Sequence, residues 1–113
     1  MNFRKERVSG LIQEELGKLI QRELEFPNAL ATITTVEIAK GLDNATVHMS
    51  VIPKHKSSEV LEILDKAAPQ LQHMLLKKIN IKPMPRIKFE IDFGLDNAAS
   101  VEKLLIEEER SDA

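Results

Sequence analysis

Five prolines set the terms on which this chain can fold. Each lacks a backbone donor and pushes the residue before it away from helical geometry, so regular structure must end, bend or begin afresh there. Pro27, Pro53, Pro69 and the pair Pro83 and Pro85 therefore divide the sequence into segments that can be read separately. Before Pro27, Val8, Leu11, Ile12, Leu16, Leu19, Ile20 and Leu24 recur at steps of three and four, the spacing of one helical face. Gly10 and Gly17 weaken that helix by up to about 1 kcal/mol each relative to alanine.

Between Pro27 and Pro53 the pattern changes to strands. Residues 32–39 carry the β-branched run Thr32, Ile33, Thr34, Thr35, Val36 and Ile38, which suits a half-buried pleated surface. In residues 44–52, Ala45, Val47, Met49 and Val51 alternate with Thr46, His48 and Ser50. Lys40-Gly41-Leu42-Asp43 lies between them as a turn, so the two strands read as a hairpin. Past Pro53 a helix is predicted from an N-cap at Ser58, with Val60, Leu61, Leu64 and Ala67 or Ala68 facing inward. The periodicity then runs through Pro69 to Leu71, Met74, Leu75 and Ile79, which predicts helix–kink–helix at Ala68-Pro69. After Pro85, Ile87, Phe89, Ile91 and Phe93 alternate with Lys88, Glu90 and Asp92 until Gly94. The order αββααβ predicts an α+β domain, a three-stranded sheet covered on one face by helices, over residues 1–94. Residues 95–113 are expected to form a short helix around Val101, Leu104 and Leu105 and a flexible acidic tail.

Composition narrows the chemistry. With no cysteine, disulfides, Fe–S clusters, cysteine-ligated zinc and thiol catalysis are excluded. No stretch reaches the roughly 20 apolar residues needed to span a bilayer, and the basic start is not followed by an apolar run, so a cytoplasmic protein is expected. The formal charge of −2 conceals an uneven distribution. From Asp92 onward seven acids face two bases, leaving +3 on residues 1–91, so the body is compatible with a polyanionic partner.

Catalytic signatures are weak. His48, His55 and His73 lack metal-motif spacing. Glu90 and Asp92 share a strand face and could imitate an acid–base pair, but alternating charge on a wet strand face, with Lys88 beside it, explains them better. Phosphate-binding and nucleophile-elbow motifs are missing, so no enzyme, no cofactor, no metal and no small-molecule substrate are expected. The bases fall in clusters: Arg4 and Arg7 with Lys5, Lys54 and Lys56, then Lys77, Lys78 and Lys82, with Arg86 and Lys88 after them. Convergence of several on one side would make an electrostatic footprint for phosphates. With no Trp or Tyr to stack on, contacts to a nucleic acid would be to backbone and shape.

Four stretches resemble the ribosome-binding factor A family of bacterial small-subunit assembly factors. Arg7-Val8 with Ile12, Glu15 and Leu16 resembles the family's opening helix. Thr34-Thr35-Val36-Glu37-Ile38, followed by Leu42, Ala45, Val47 and Met49, resembles its hairpin. Ala68-Pro69-Gln70 falls at its Ala-x-Gly kink, and Lys82, Pro85, Ile87, Phe89 and Asp92 match its last strand. The resemblance implies a type II KH-like fold and binding to the 30S subunit and its 16S rRNA in late maturation. It further implies support of rRNA 5′-end processing and growth in the cold, without enzymatic activity. A monomer away from the ribosome and no membrane partner are expected. Three positions depart from the family: Gln70 replaces the kink glycine, Lys82 an arginine and Gly41 an aspartate. A glutamine cannot admit a backbone as closely as glycine, and a lysine offers a point charge where arginine offers a planar fork.

On this reading Lys77, Lys78, Lys82 and Arg86 are the leading phosphate contacts. Lys54, Lys56, Arg4 and Arg7 form a second tier, and Ala68 and Pro69 set the geometry. The rival is a protein–protein adaptor without RNA contact.

Overall fold

The computed structural model describes residues 4–81 and 84–93. The elements are helix α1 (Arg4–Glu23), strand β1 (Leu30–Ile38), strand β2 (Asn44–Ile52), a 3-10 turn (Lys54–Lys56), helix α2 (Ser57–Lys78) and strand β3 (Arg86–Ile91). The expected C-terminal helix and tail lie outside the described residues.

The sheet order is β1-β2-β3, with β1 and β2 antiparallel and β3 added parallel to β2. A parallel neighbour needs a crossover, and α2 supplies it by running back along the sheet. Both helices lie on one face, α1 chiefly over β1 and α2 over β3. Most of the helical stripe read from the sequence is the core: Val8, Ile12, Leu16, Leu19 and Ile20 of α1 pack with Val60, Leu64, Leu71 and Leu75 of α2, whereas Leu11 is exposed. From the sheet, Val36, Ala45, Val47, Met49, Val51, Ile87 and Phe89 complete it. Met84, flanked by prolines, is half-buried against this core.

Two expectations need correction. Helix α2 is one element through Pro69, so among the described residues two helices take the place of three. The reason lies in where Pro69 points. Val60, Leu64, Leu71 and Leu75 keep one buried stripe across it, while Pro69 and Asp65, whose carbonyl loses its amide partner, are both exposed to water. Ser58 is not the N-cap either. The helix starts at Ser57, whose amide bonds the Lys54 carbonyl, so the preceding 3-10 turn takes over the role of a side-chain cap.

Strand β1 also carries a bulge. Ile33 faces Met49 and Thr35 faces His48, leaving Thr34 as the extra residue. Thr34 and Thr35 are therefore both exposed, which is why this strand lacks the clean alternation of β2. In the hairpin turn it is Leu42, at φ 62°, and not Gly41, that takes the left-handed conformation.

The glycines of α1 make a test of helix propensity. A Cβ added at Gly10 or Gly17 meets nothing within 4 Å. Gly10→Ala and Gly17→Ala are each expected to stabilise the protein by about 0.5–1 kcal/mol, read as a higher midpoint in urea with an unchanged slope.

Candidate functional site

Topology sorts the basic residues into two ends. The chain passes from α1 to β1 through a short connection, so the end of α1 lies near Leu30, which pairs with Ile52. Lys54 and Lys56 follow Ile52 at that end, where α2 begins. The opposite end holds the Lys40–Asp43 turn, the start of α1, the end of α2 and the start of β3. Lys77, Lys78, Arg86 and Arg7 all lie there. At about 1.5 Å per residue, the length of α2 puts Lys56 about 33 Å from Lys78. Lys54 and Lys56 therefore do not form one patch with Lys77, Lys78 and Arg86, whereas Arg7, of the second tier, shares their end.

The hairpin end can be built from its bonds. Lys78 Nζ lies 3.6 Å from Glu15 Oε1 and ties the end of α2 to the middle of α1. Glu15 also receives Lys18 at 3.5 Å, so one carboxylate serves two ammonium groups. Arg7 is exposed two turns earlier on α1, about 12 Å from Glu15 along the axis. Lys77, one residue before Lys78 but about 100° around the helix, is exposed with no ion-pair partner among the described residues. Arg86 is exposed as well, and its amide donates to the Asp43 carbonyl at 3.0 Å.

Gln72 fixes the level of Arg86 against α2. Its Nε2 donates to the Pro85 carbonyl at 2.9 Å, and its Oε1 accepts from the Ile87 amide at 2.8 Å. Arg86 is therefore level with Gln72, about 8 Å along α2 from Lys77. Between α2 and the start of β3 runs an open groove lined by Asp65, Ala68, Pro69, Gln72, Arg86 and Ile87. Ala68 and Pro69, expected to set geometry, form its α2 wall. Asp65 puts one carboxylate in the same groove, and Glu6 and Asp43 are further acids at this end.

Lys54, Lys56 and Lys88 fall elsewhere. Lys56 pairs with Glu59 at 3.5 Å, and Lys54 is exposed beside it. Lys82 is outside the described residues, and Arg4 opens α1. Lys88 points to the open sheet face, 3.9 Å from Glu90. On the same face Asp92 accepts the Thr34 hydroxyl at 2.8 Å, and His48 Nε2 stands 2.9 Å from Glu37 Oε1. The carboxylates that imitated an acid–base pair are thus engaged in cross-strand and along-strand contacts. Among the described residues, no group of three or more His, Asp or Glu side chains is placed to hold a metal, and no helix is long and apolar enough to cross a membrane.

Sequence reasoning missed Lys40, exposed in the hairpin turn at the basic end, and Gln72. The available signal for Gln72 was a polar residue beside the inward stripe, next to Leu71 and one turn after Ala68. Such a residue needs partners when half-buried.

Comparison with known proteins bears on this arrangement. A family model described as ribosome-binding factor A matches residues 4–105. A ribosome-binding factor A from Lachnoclostridium phytofermentans is 36% identical over 104 residues, covering 89% of this chain and 76% of that protein. The crystal structure of ribosome-binding factor A from Thermus thermophilus superposes with a TM-score of 0.68 at 20% identity, covering 77% of this chain and 94% of that one. A homology model of the Thermus thermophilus factor, fitted into an electron cryo-microscopy map of a 30S complex, gives a TM-score of 0.62 at 23% identity, covering 73% and 88%. These likenesses carry the KH-like fold.

Proposed function

This chain belongs to the ribosome-binding factor A family, and on that premise we propose that it is a non-enzymatic assembly factor that binds the 30S subunit through 16S rRNA. It acts in the cytoplasm as a monomer during late maturation, supporting rRNA 5′-end processing and growth in the cold. The family match carries this reading. The hairpin end gives it a physical form: Lys77, Arg86 and Arg7 are exposed bases on three different elements, and Lys78 is held among them by Glu15. Lys82 belongs to the same connection between α2 and β3 and is assigned to the same contact. Lys54, Lys56 and Arg4 are the outer contacts, the first two at the far end of α2.

The mechanism is differential binding. A protein without a reaction of its own can change rRNA only by favouring one arrangement over another, because equal affinity for both shifts nothing. Charges mounted on separate elements of one rigid core fit phosphates in one spatial arrangement better than in others. With scarce aromatic side chains, the distinction is made on backbone shape.

Salt titration tests the reading. Binding to purified 30S subunits, followed by co-sedimentation, should weaken steeply as potassium chloride rises, with log K falling by about 0.7–0.9 per phosphate contact for each decade of salt. Affinity that hardly responds to salt would instead favour the adaptor reading, in which an apolar surface meets a protein. Exposed Leu30 and Ile52, paired across β1 and β2, are where such a surface would begin.

A further inference from the structure

We propose that Gln72 is a positioning residue for rRNA binding, holding the backbone on both sides of Arg86 so that the guanidinium is presented at the mouth of the α2–β3 groove. This rests on the reading above, in which the hairpin end meets phosphates.

The argument starts from the two bonds of the Gln72 amide. Its donor goes to the residue before Arg86 and its acceptor to the residue after it, at 2.9 and 2.8 Å. Pro85 and Ile87 are both buried, and the Arg86 amide is itself bonded to the Asp43 carbonyl on the other side of the strand. Three hydrogen bonds thus fix the peptide units around an exposed arginine. The side chain remains free to reach solvent while its root is held.

Strand β3 makes this bracket necessary. It is an edge strand paired only to β2 among the described strands, and the Ile87 amide points away from that partner. Without Gln72 the amide of Ile87 and the carbonyl of Pro85 would lose their partners at a half-buried site. The start of β3 would then be free to lift from α2, carrying Arg86 with it. A long flexible cation contributes most to binding when less of its freedom must be lost on contact. An amide is suited to the task, since one side chain offers a donor and an acceptor a fixed distance apart.

An edge-sealing role alone would leave phosphate contacts unchanged, and a double-mutant cycle separates the two. Gln72→Met keeps the volume and removes both bonds; Arg86→Gln removes the charge. Each is expected to weaken binding to 30S subunits about five- to tenfold, and each to reduce the slope of log K against log salt by about one. The double variant should bind within about twofold of Arg86→Gln. In Gln72→Met the Ile87 amide should exchange with solvent far faster than in the parent protein. If the methionine variant does not fold, Gln72→Asn, one methylene too short to span both groups, replaces it in the same cycle.

Effects that multiply, or a salt slope unmoved by the Gln72 change, would overturn the positioning role. So would an Ile87 amide that exchanges equally fast in the parent. Lys77→Glu serves as the reference for the underlying reading. If it binds 30S like the parent, both the reading and the positioning role fall; if it weakens binding while the cycle is additive, only the positioning role falls.

Discussion

Combining Lys77→Glu with Arg86→Glu is expected to lower affinity for 30S subunits by about a hundredfold or more near 0.1 M salt, with little change in thermal unfolding. On the proposed reading each substitution removes a phosphate contact and puts a repelling charge in its place, and tenfold corresponds to about 1.4 kcal/mol. Stability should hold because both side chains are exposed and no ion pair is lost with either among the described residues. The comparison that gives the result meaning is Lys54→Glu with Lys56→Glu. That pair makes the same change of charge about 33 Å away along α2. It is expected to cost less than about a third of the effect on a logarithmic scale, part of which comes from breaking the Lys56–Glu59 pair. Equal losses from both ends would mean that net charge, and not a located surface, governs association.

That contrast between two ends was the part of the site least accessible to sequence. The one-dimensional patterns served well where a single element decides the outcome. Val8, Ile12, Leu16, Leu19 and Ile20 are all buried as the helical spacing requires, and β2 spans Asn44–Ile52 with its alternate residues inside. Periodicity works there because burial of one face is a local property of the pattern. It says nothing about which ends of separate elements meet. Lys54 precedes α2 and Lys77 lies in its last turn, so the helix that links them also holds them apart. The ion pair of Lys78 with Glu15 joins residues that no local rule connects, and it partly occupies a lysine that sequence reading treated as equal to Lys77. Gln72 escaped notice for a related reason: its partners are backbone atoms of another element, and backbone atoms leave no mark in a sequence. The β1 bulge is similar, since Thr34 lies between ladder pairs and its hydroxyl reaches Asp92, just past the end of β3.

Pro69→Ala is expected to stabilise the protein by about 1–3 kcal/mol, raising the unfolding midpoint by about 4–8 °C per kcal/mol. A proline inside a helix forfeits the amide that would meet the carbonyl four residues earlier, here that of Asp65, and its ring crowds that carbonyl. The rest of α2 is already continuous across the site, with Leu64 and Leu71 buried on either side, so alanine can complete the ladder without repacking the core. Part of the gain is offset because alanine frees the unfolded chain, an effect of up to about 1 kcal/mol. The same substitution should weaken 30S binding several-fold. Pro69 stands in the wall of the groove that also contains Gln72 and Arg86, and removing its ring changes the surface the groove presents beside them. Thermal unfolding and subunit binding measured on one preparation would therefore move in opposite directions, as when a local fault is retained for the surface it shapes. A midpoint that stays put would show that α2 already absorbs the proline without cost. A higher midpoint with unaltered binding would separate the groove from the contact, leaving the charges at the hairpin end to act without it.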